Sequence, residues 1–308
     1  MSHSFPESFK PISVNDIPLL RRMLFASPER SCEFNVVNLY VWSSAFLVRW
    51  QIWEEHLWIH YHSEAEGVDA LMWAGASGVD DPSPSSLAKI SAEMRAAGYS
   101  GNIQHVREDY FAAHPELATY FTVRQMDDDF AEYIHSVDSL ATLAGERFSK
   151  KRNLIKQFRR HYADAEYRVL SDREMPDALG MAEAWLAEHP DSGAAQLQEE
   201  ASAWRHLNDA TMEYLGITGY GVLVDSKMVA FSICSRIAGD IWTEHFEKAL
   251  REYTGAAQAL NQFMAQSLPK ECKWLNREQD MGSPGLRQAK LSYHPEMLLK
   301  NYEILPNQ

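Results

Sequence analysis

Residues 274–295 read Trp274-Leu275-Asn276-Arg277-Glu278-Gln279-Asp280-Met281-Gly282-Ser283-Pro284-Gly285-Leu286-Arg287-Gln288-Ala289-Lys290-Leu291-Ser292-Tyr293-His294-Pro295. An apolar, strand-like start runs into carboxylates, guanidinium groups, an ammonium and a phenol, set on both sides of a Gly-Ser-Pro-Gly turn. Connecting segments of this kind are where a scaffold presents reactive groups. Arg287 and Lys290 lie three apart on a short helix expected after Gly285 and share a face. Such a pair can hold a phosphate or the oxyanion that develops in acyl transfer, while Glu278 or Asp280 deprotonates an acceptor amine. Tyr293 either returns a proton to the leaving group or is an aromatic anchor. The competing reading is a salt-bridged turn in which Arg277, Glu278, Asp280 and Arg287 only pin the C-terminal segment.

Working outward, the chain alternates strand and helix patterns throughout. In the first half, Ser13 or Asn15 caps a helix over Leu19, Leu20, Met23 and Leu24. Two strands within 46–61 flank the turn Trp53-Glu54-Glu55-His56, and a third covers 71–73. A loop at 80–85 precedes a helix over Leu87, Ile90 and Met94, then a strand at 103–106 and a short helix at 110–117. In the second half a strand at 167–170 is followed by helices at 175–187 and 196–215. Strands at 221–224, 229–236 and 241–246 and a helix at 256–268 complete the pattern. This succession specifies an α/β layer fold. Residues 140–162 join the halves without a Pro/Gly-rich linker.

At 308 residues, with 45% hydrophobic and 11% aromatic content, the chain has the length and the apolar mass for two cores of about 150 residues each. No apolar stretch approaches the roughly 18 residues needed to cross a bilayer, and the N-terminus has no signal-peptide pattern, so a cytoplasmic location without integral membrane association is expected. Cys32, Cys234 and Cys272 are odd in number and lack paired metal-ligand spacing. The formal net charge of −14 opposes nonspecific attraction to DNA, RNA or anionic membrane, and DNA is not an expected partner.

Against that charge, residues 147–160 concentrate seven cations. On a helix, Phe148, Ile155, Phe158 and Tyr162 share one face, and Arg152, Lys156 and Arg159 form a stripe on another. The stripe is either a solvated face or a contact for phosphates such as a tRNA backbone. Lys151 falls beside the apolar face and points to a cleft. On the strand 241–246 and just beyond it, period two places Thr243, His245 and Glu247 on one side, where a carboxylate beside a histidine makes a general base; a histidine hydrogen-bonded within the sheet is the alternative. His60 and His62 also alternate, but no third ligand of suitable spacing follows them, and no metal site is expected.

Three blocks carry a family resemblance. They are Glu33-Phe34-Asn35 with Asn38-Leu39-Tyr40 and Trp42; Leu143-Ala144-Gly145 with Phe148 and Lys150-Lys151-Arg152-Asn153; and Asn276-Arg277-Glu278, Asp280-Met281-Gly282, Gly285-Leu286-Arg287 and Lys290-Leu291-Ser292-Tyr293. Together they resemble the phosphatidylglycerol lysyltransferase C-terminal-domain family across nearly the whole chain. The resemblance implies two tandem GNAT-like domains, 1–140 and 141–308, each a mixed, mainly antiparallel sheet flanked by helices. It implies an acyltransferase, with aminoacyl-tRNA as donor and a small-molecule amine or hydroxyl acceptor; the lipid-modifying relatives carry membrane spans not seen in this sequence. Acyl-coenzyme A is the alternative donor, and a noncatalytic GNAT-like binding module the alternative function. No cofactor beyond the donor is implied.

GNAT enzymes bind the coenzyme A pyrophosphate with a loop of the type Gln/Arg-x-x-Gly-x-Gly/Ala at a helix start. Here that junction is Glu252-Tyr253-Thr254-Gly255-Ala256-Ala257: Gly255 and Ala257 fit, whereas Glu252 brings negative charge to the phosphate side. Asn35 and Asn38, one turn apart in the early block, read as amides that pin backbone across a domain interface or line an acceptor pocket.

Overall fold

The computed structural model describes residues 5–63, 67–75, 80–187 and 194–307. Two seven-stranded sheets carry the chain, and both follow one topology. In the first, Lys10–Pro11, Leu47–Trp53, His56–Ser63 and Val68–Ala74 run antiparallel in order, and Val68–Ala74 then pairs in parallel with Ile103–Gln104 through Leu71 and Ile103. In the second, Glu166–Leu170, Ile217–Val224, Lys227–Ala238 and Ile241–Ala249 repeat the antiparallel run. Ile241–Ala249 then pairs in parallel with Trp274–Asn276. Two helices or more separate the first and second strand of each run, one separates the parallel pair, and a shorter one follows it. The mixed, mainly antiparallel sheets with flanking helices are those expected from the sequence.

The sixth position of each sheet is filled by exchange. Tyr302–Pro306, at the end of the chain, inserts into the first sheet between Ile103–Gln104 and Phe121–Gln125. Glu132–Ser136, from the first half, inserts into the second sheet between Trp274–Asn276 and Met297–Leu299. Each sheet therefore includes, next to its edge, a strand from the far side of the division expected at 140/141.

Side-chain alternation sorts the apolar residues into layers. The outer face of the first sheet packs Trp58, Leu71 and Trp73 against Leu87, Ile90 and Met94 of the helix Pro84–Ala96. The outer face of the second packs Tyr220, Val222 and Leu275 against Phe158 of Ser149–His161 and Leu260 of Ala256–Ser267. Between the sheets lies one continuous core in which Ile17, Leu20, Leu24 and Leu39 from the first half meet Ala178, Ala182, Trp204, Phe231 and Phe246 from the second. The halves are thus joined by packed apolar surface rather than by a hinge, and the seam between them is buried. Among the described residues no helix is long and apolar enough to cross a membrane.

Candidate functional site

The parallel pairing of Ile241–Ala249 with Trp274–Asn276 ends at Thr243 opposite Asn276, and the chain beyond Asn276 leaves the sheet at the seam. Glu278 makes the departure in a left-handed conformation, φ 58°, uncommon for a residue with a Cβ. It is held there by the Asn276 side chain, whose Oδ1 accepts the Glu278 N–H at 2.8 Å. The Glu278 carboxylate, 16% exposed, accepts hydrogen bonds at Oε1 from Asn38 Nδ2 at 2.9 Å and from Thr243 Oγ1 at 3.1 Å.

From Glu278 a polar chain crosses the seam. Asn38 also meets His245 Nδ1 at 2.7 Å, the opposite ring nitrogen of His245 meets Ser235 Oγ at 2.7 Å, and Asn35 Nδ2 donates to that hydroxyl at 2.8 Å. His245 and Glu278 approach to 3.4 Å. The carboxylate beside the histidine is therefore Glu278, and the expectation that Glu247 shares the face of His245 is corrected. The register between Ile233↔Phe246 and Cys234↔Glu244 skips His245. This β-bulge inverts the alternation beyond it. Glu247 accordingly sits with Glu244, and the two accept from one guanidinium, Arg277 Nε reaching Glu244 at 2.6 Å and Nη2 reaching Glu247. Asn35 and Asn38 do pin the two halves together, and Asn38 at the same time orients the candidate acid–base groups.

Gln279 links two more groups. Its side-chain amide donates to Glu33 at 2.9 Å, and its backbone carbonyl accepts from Lys290 Nζ at 2.5 Å. Burial, aided by the neighbouring Glu278 carboxylate, pushes Glu33 up to about 7, with Gln279 and Tyr61 hydrogen-bonded to it. Burial likewise pushes Lys290 down to about 8, the charge of Arg277 adding to the shift and Glu278 opposing it. A carboxyl of raised pKa next to a second carboxylate and a cation of depressed pKa forms an acid–base arrangement. Cys32 lies alongside, but burial and the Glu132 carboxylate hold its thiol far above the range of a nucleophile. Glu33 was missed by the sequence reading; its only signal was the position at the head of the Asn35/Asn38 block.

Asp280 and Arg287 form a different unit. Arg287 grips both Asp280 oxygens at 2.8 Å through Nε and Nη2, and reaches Asp129 at 2.5 Å. Tyr133 and the Gly282 N–H take the remaining Asp280 positions at 2.5 and 2.9 Å. Against the upward push of burial, these hydrogen bonds hold the Asp280 carboxyl below its ordinary value, which suits a staple for the turn better than a base. Arg287 and Lys290 share the helix Pro284–Leu291, yet Arg287 is half exposed and Lys290 is buried.

Tyr293 is also buried, its hydroxyl without a hydrogen-bond partner, with Lys151 Nζ 3.9 Å and the Arg277 guanidinium 5.0 Å from its ring centre. Lys151 points inward as expected, donates to Ser292 at 2.6 Å, and is pushed down to about 8 by burial and by Arg277. The basic stripe divides: Arg152 donates to the Leu143 and Gly145 carbonyls, Arg159 reaches Gln262 at 3.3 Å, and Lys156 is exposed. Gly255, φ 94°, starts the helix Ala256–Ser267, but a Cβ there would stand 2.5 Å from the Leu154 carbonyl. Close helix packing thus accounts for the glycine. Ala257 is half-buried in the first turn, and Glu252 faces solvent beside Lys227 at 3.3 Å.

Similar proteins place this geometry in context. A conserved protein of unknown function from Bacteroides thetaiotaomicron is 26% identical and superposes with a TM-score of 0.86 over 97% of this chain and 99% of its own. The C-terminal domain of a lysylphosphatidylglycerol synthetase from Agrobacterium fabrum shares the fold at 13% identity, TM-score 0.62, over 96% and 93%. L-PGS from Bacillus licheniformis does so at 12% identity, TM-score 0.61, over 94% and 91%. An uncharacterized protein of Mycoplasmoides gallisepticum is 24% identical over 188 residues, 60% of this chain; the match spans 59% of that protein's length. The model of the phosphatidylglycerol lysyltransferase C-terminal family matches residues 26–304, so the chain belongs to that family.

Proposed function

We propose that this protein is an acyltransferase that moves an aminoacyl group, carried as an ester on tRNA, to the amine or hydroxyl of a small acceptor at the seam between the two sheets. What supports the reading is the convergence of Glu33, Glu278 and Lys290 around Gln279 within a family whose name describes lysyl transfer. Glu33, poised near neutrality, takes the proton from the attacking acceptor. Glu278, fixed by Asn38 and Thr243, orients that acceptor, and His245 holds Asn38 in place. Lys290, as ammonium, faces the negative charge that grows on the ester oxygen. The acceptor–carbonyl bond forms, the carbon–oxygen bond to the ribose breaks, and the proton held by Glu33 passes to the departing hydroxyl. The exposed Lys156 gives the tRNA phosphates a contact that reads no sequence.

Glu252 and the packing of Gly255 against Leu154 disfavour coenzyme A as donor. The test supplies radiolabelled aminoacyl-tRNA or radiolabelled acetyl-coenzyme A to the purified chain with pools of amines, alcohols and lipids. Labelled product from aminoacyl-tRNA, with tRNA affinity lowered in Lys156→Glu, is the expected result. Product from acetyl-coenzyme A alone would overturn the proposal.

A further inference from the structure

On the outer face of the first sheet, away from the seam, His60, His62 and Asp69 bring three potential ligand atoms within 4.8 Å of one another. The sequence shows only an alternating pair of histidines. The hairpin supplies the third member, because the register of His56–Ser63 with Val68–Ala74 sets His62 directly opposite Asp69. His60 Nε2 lies 2.7 Å and His62 Nδ1 3.6 Å from the same Asp69 oxygen. The His62 Nδ1 atom is buried and lacks a hydrogen-bond partner, a state that a buried polar atom rarely keeps without a reason. The other Asp69 oxygen accepts the Ser100 N–H, and Ser100 Oγ donates to the Asp69 carbonyl at 2.6 Å, so the carboxylate is oriented from behind. The Tyr99 ring packs edge-on against both imidazoles, 4.6 Å from His60 and 5.8 Å from His62.

We propose that His60, His62 and Asp69 bind a divalent transition-metal ion of the Zn2+ class. Two imidazoles and one carboxylate suit a borderline cation and leave a fourth position for water. Bonds of about 2.0–2.1 Å in a tetrahedron hold ligand atoms roughly 3.3–3.4 Å apart. Side-chain rotation that opens the 2.7 Å His60–Asp69 contact by less than ~1 Å, and draws ligand atoms now within 4.8 Å of one another to that spacing, admits the ion. His60 then carries its proton on Nδ1 and gives Nε2 to the metal, and Asp69 exchanges an accepted hydrogen bond for a metal bond. Tyr61, between the two histidines on the same strand, hydrogen-bonds Glu33 from the opposite face. The ion would therefore brace the strand that supports the seam.

The experiment is titration calorimetry of the metal-stripped full chain with Zn2+, and with Mg2+ as the hard-cation control, alongside thermal unfolding. Saturable binding of one Zn2+ per chain is expected, with a rise in melting temperature that Mg2+ does not reproduce. His62→Ala alters a half-exposed side chain, and its metal-free melting temperature should stay near that of the parent; its Zn2+ affinity should fall at least about ten- to a hundredfold. Asp69→Asn should weaken binding in the same way. Absence of saturable Zn2+ binding, or binding that persists unchanged in His62→Ala, would overturn the assignment.

Discussion

Glu33 and Lys290 make opposite adjustments to the same burial, and each has a measurable consequence. A general base with a pKa near the working pH contributes about two to four orders of magnitude in rate. Glu33→Gln keeps the hydrogen-bonding shape and should lower the transfer rate by that amount, with the circular dichroism spectrum and melting temperature little changed. A Glu33→Gln enzyme of parental activity would remove it from the mechanism. Lys290, pushed down to about 8, is charged below that pH and neutral above it. The rate should therefore fall as pH rises through about 8, and Lys290→Met should lack that falling limb. The same shift acts on stability with a definite sign. Between about 8 and the unfolded lysine value of about 10.4, the unfolded chain binds more protons than the folded one, so this lysine makes the protein more stable as pH rises across that window.

Among the elements, the strand Ile241–Ala249 and the helix start at Gly255 show how local backbone decides chemistry. The bulge at His245 is why a histidine faces Asn38 and Ser235 while Glu244 and Glu247, three apart, both reach Arg277. Asn38→Leu should strip partners from buried His245 and from Glu278 at once. Each orphaned group costs about 1–3 kcal/mol, and a loss of several degrees in melting temperature, read by calorimetry, is expected. Gly255→Ala forces a Cβ to within 2.5 Å of the Leu154 carbonyl at φ 94°. The helix Ser149–His161 must then shift, and destabilisation of more than about 1 kcal/mol in denaturant melts is expected. A variant as stable as the parent would show that this helix is not packed against the turn.

Across the whole molecule, the exchanged strands Glu132–Ser136 and Tyr302–Pro306 make each sheet depend on the other half of the chain. A protein truncated after Lys300 loses the strand that pairs with both Ile103–Gln104 and Phe121–Gln125. Its unpaired edges and exposed Ile304 contacts should leave the first sheet poorly protected. Hydrogen exchange should show that loss first in residues 103–125. Segments 1–140 and 141–308 expressed apart should fail to unfold cooperatively, because the shared core and the exchanged strands are missing from each; two independently cooperative melts would refute this.

The sequence alone determined the mixed α/β character, most of the helices and antiparallel strands, the inward direction of Lys151, and the turn that bears Glu278. These follow from periodicity, capping and turn residues, which act over a few neighbours. The helix Met175–Ala187 and the strands around Asp225-Ser226 were legible for that reason. The family signature marked Glu278 and Lys290. Tertiary structure decided the rest: which sheet receives Glu132–Ser136, the bulge that parts Glu247 from His245, and the saturation of Asp280 by Arg287, Tyr133 and Gly282. It also decided the meeting of Glu33 with Glu278 across 245 positions of chain. Strand pairing and burial join residues remote in sequence, and the same remote neighbours set the titration of a buried carboxyl or ammonium, so no local pattern announces either.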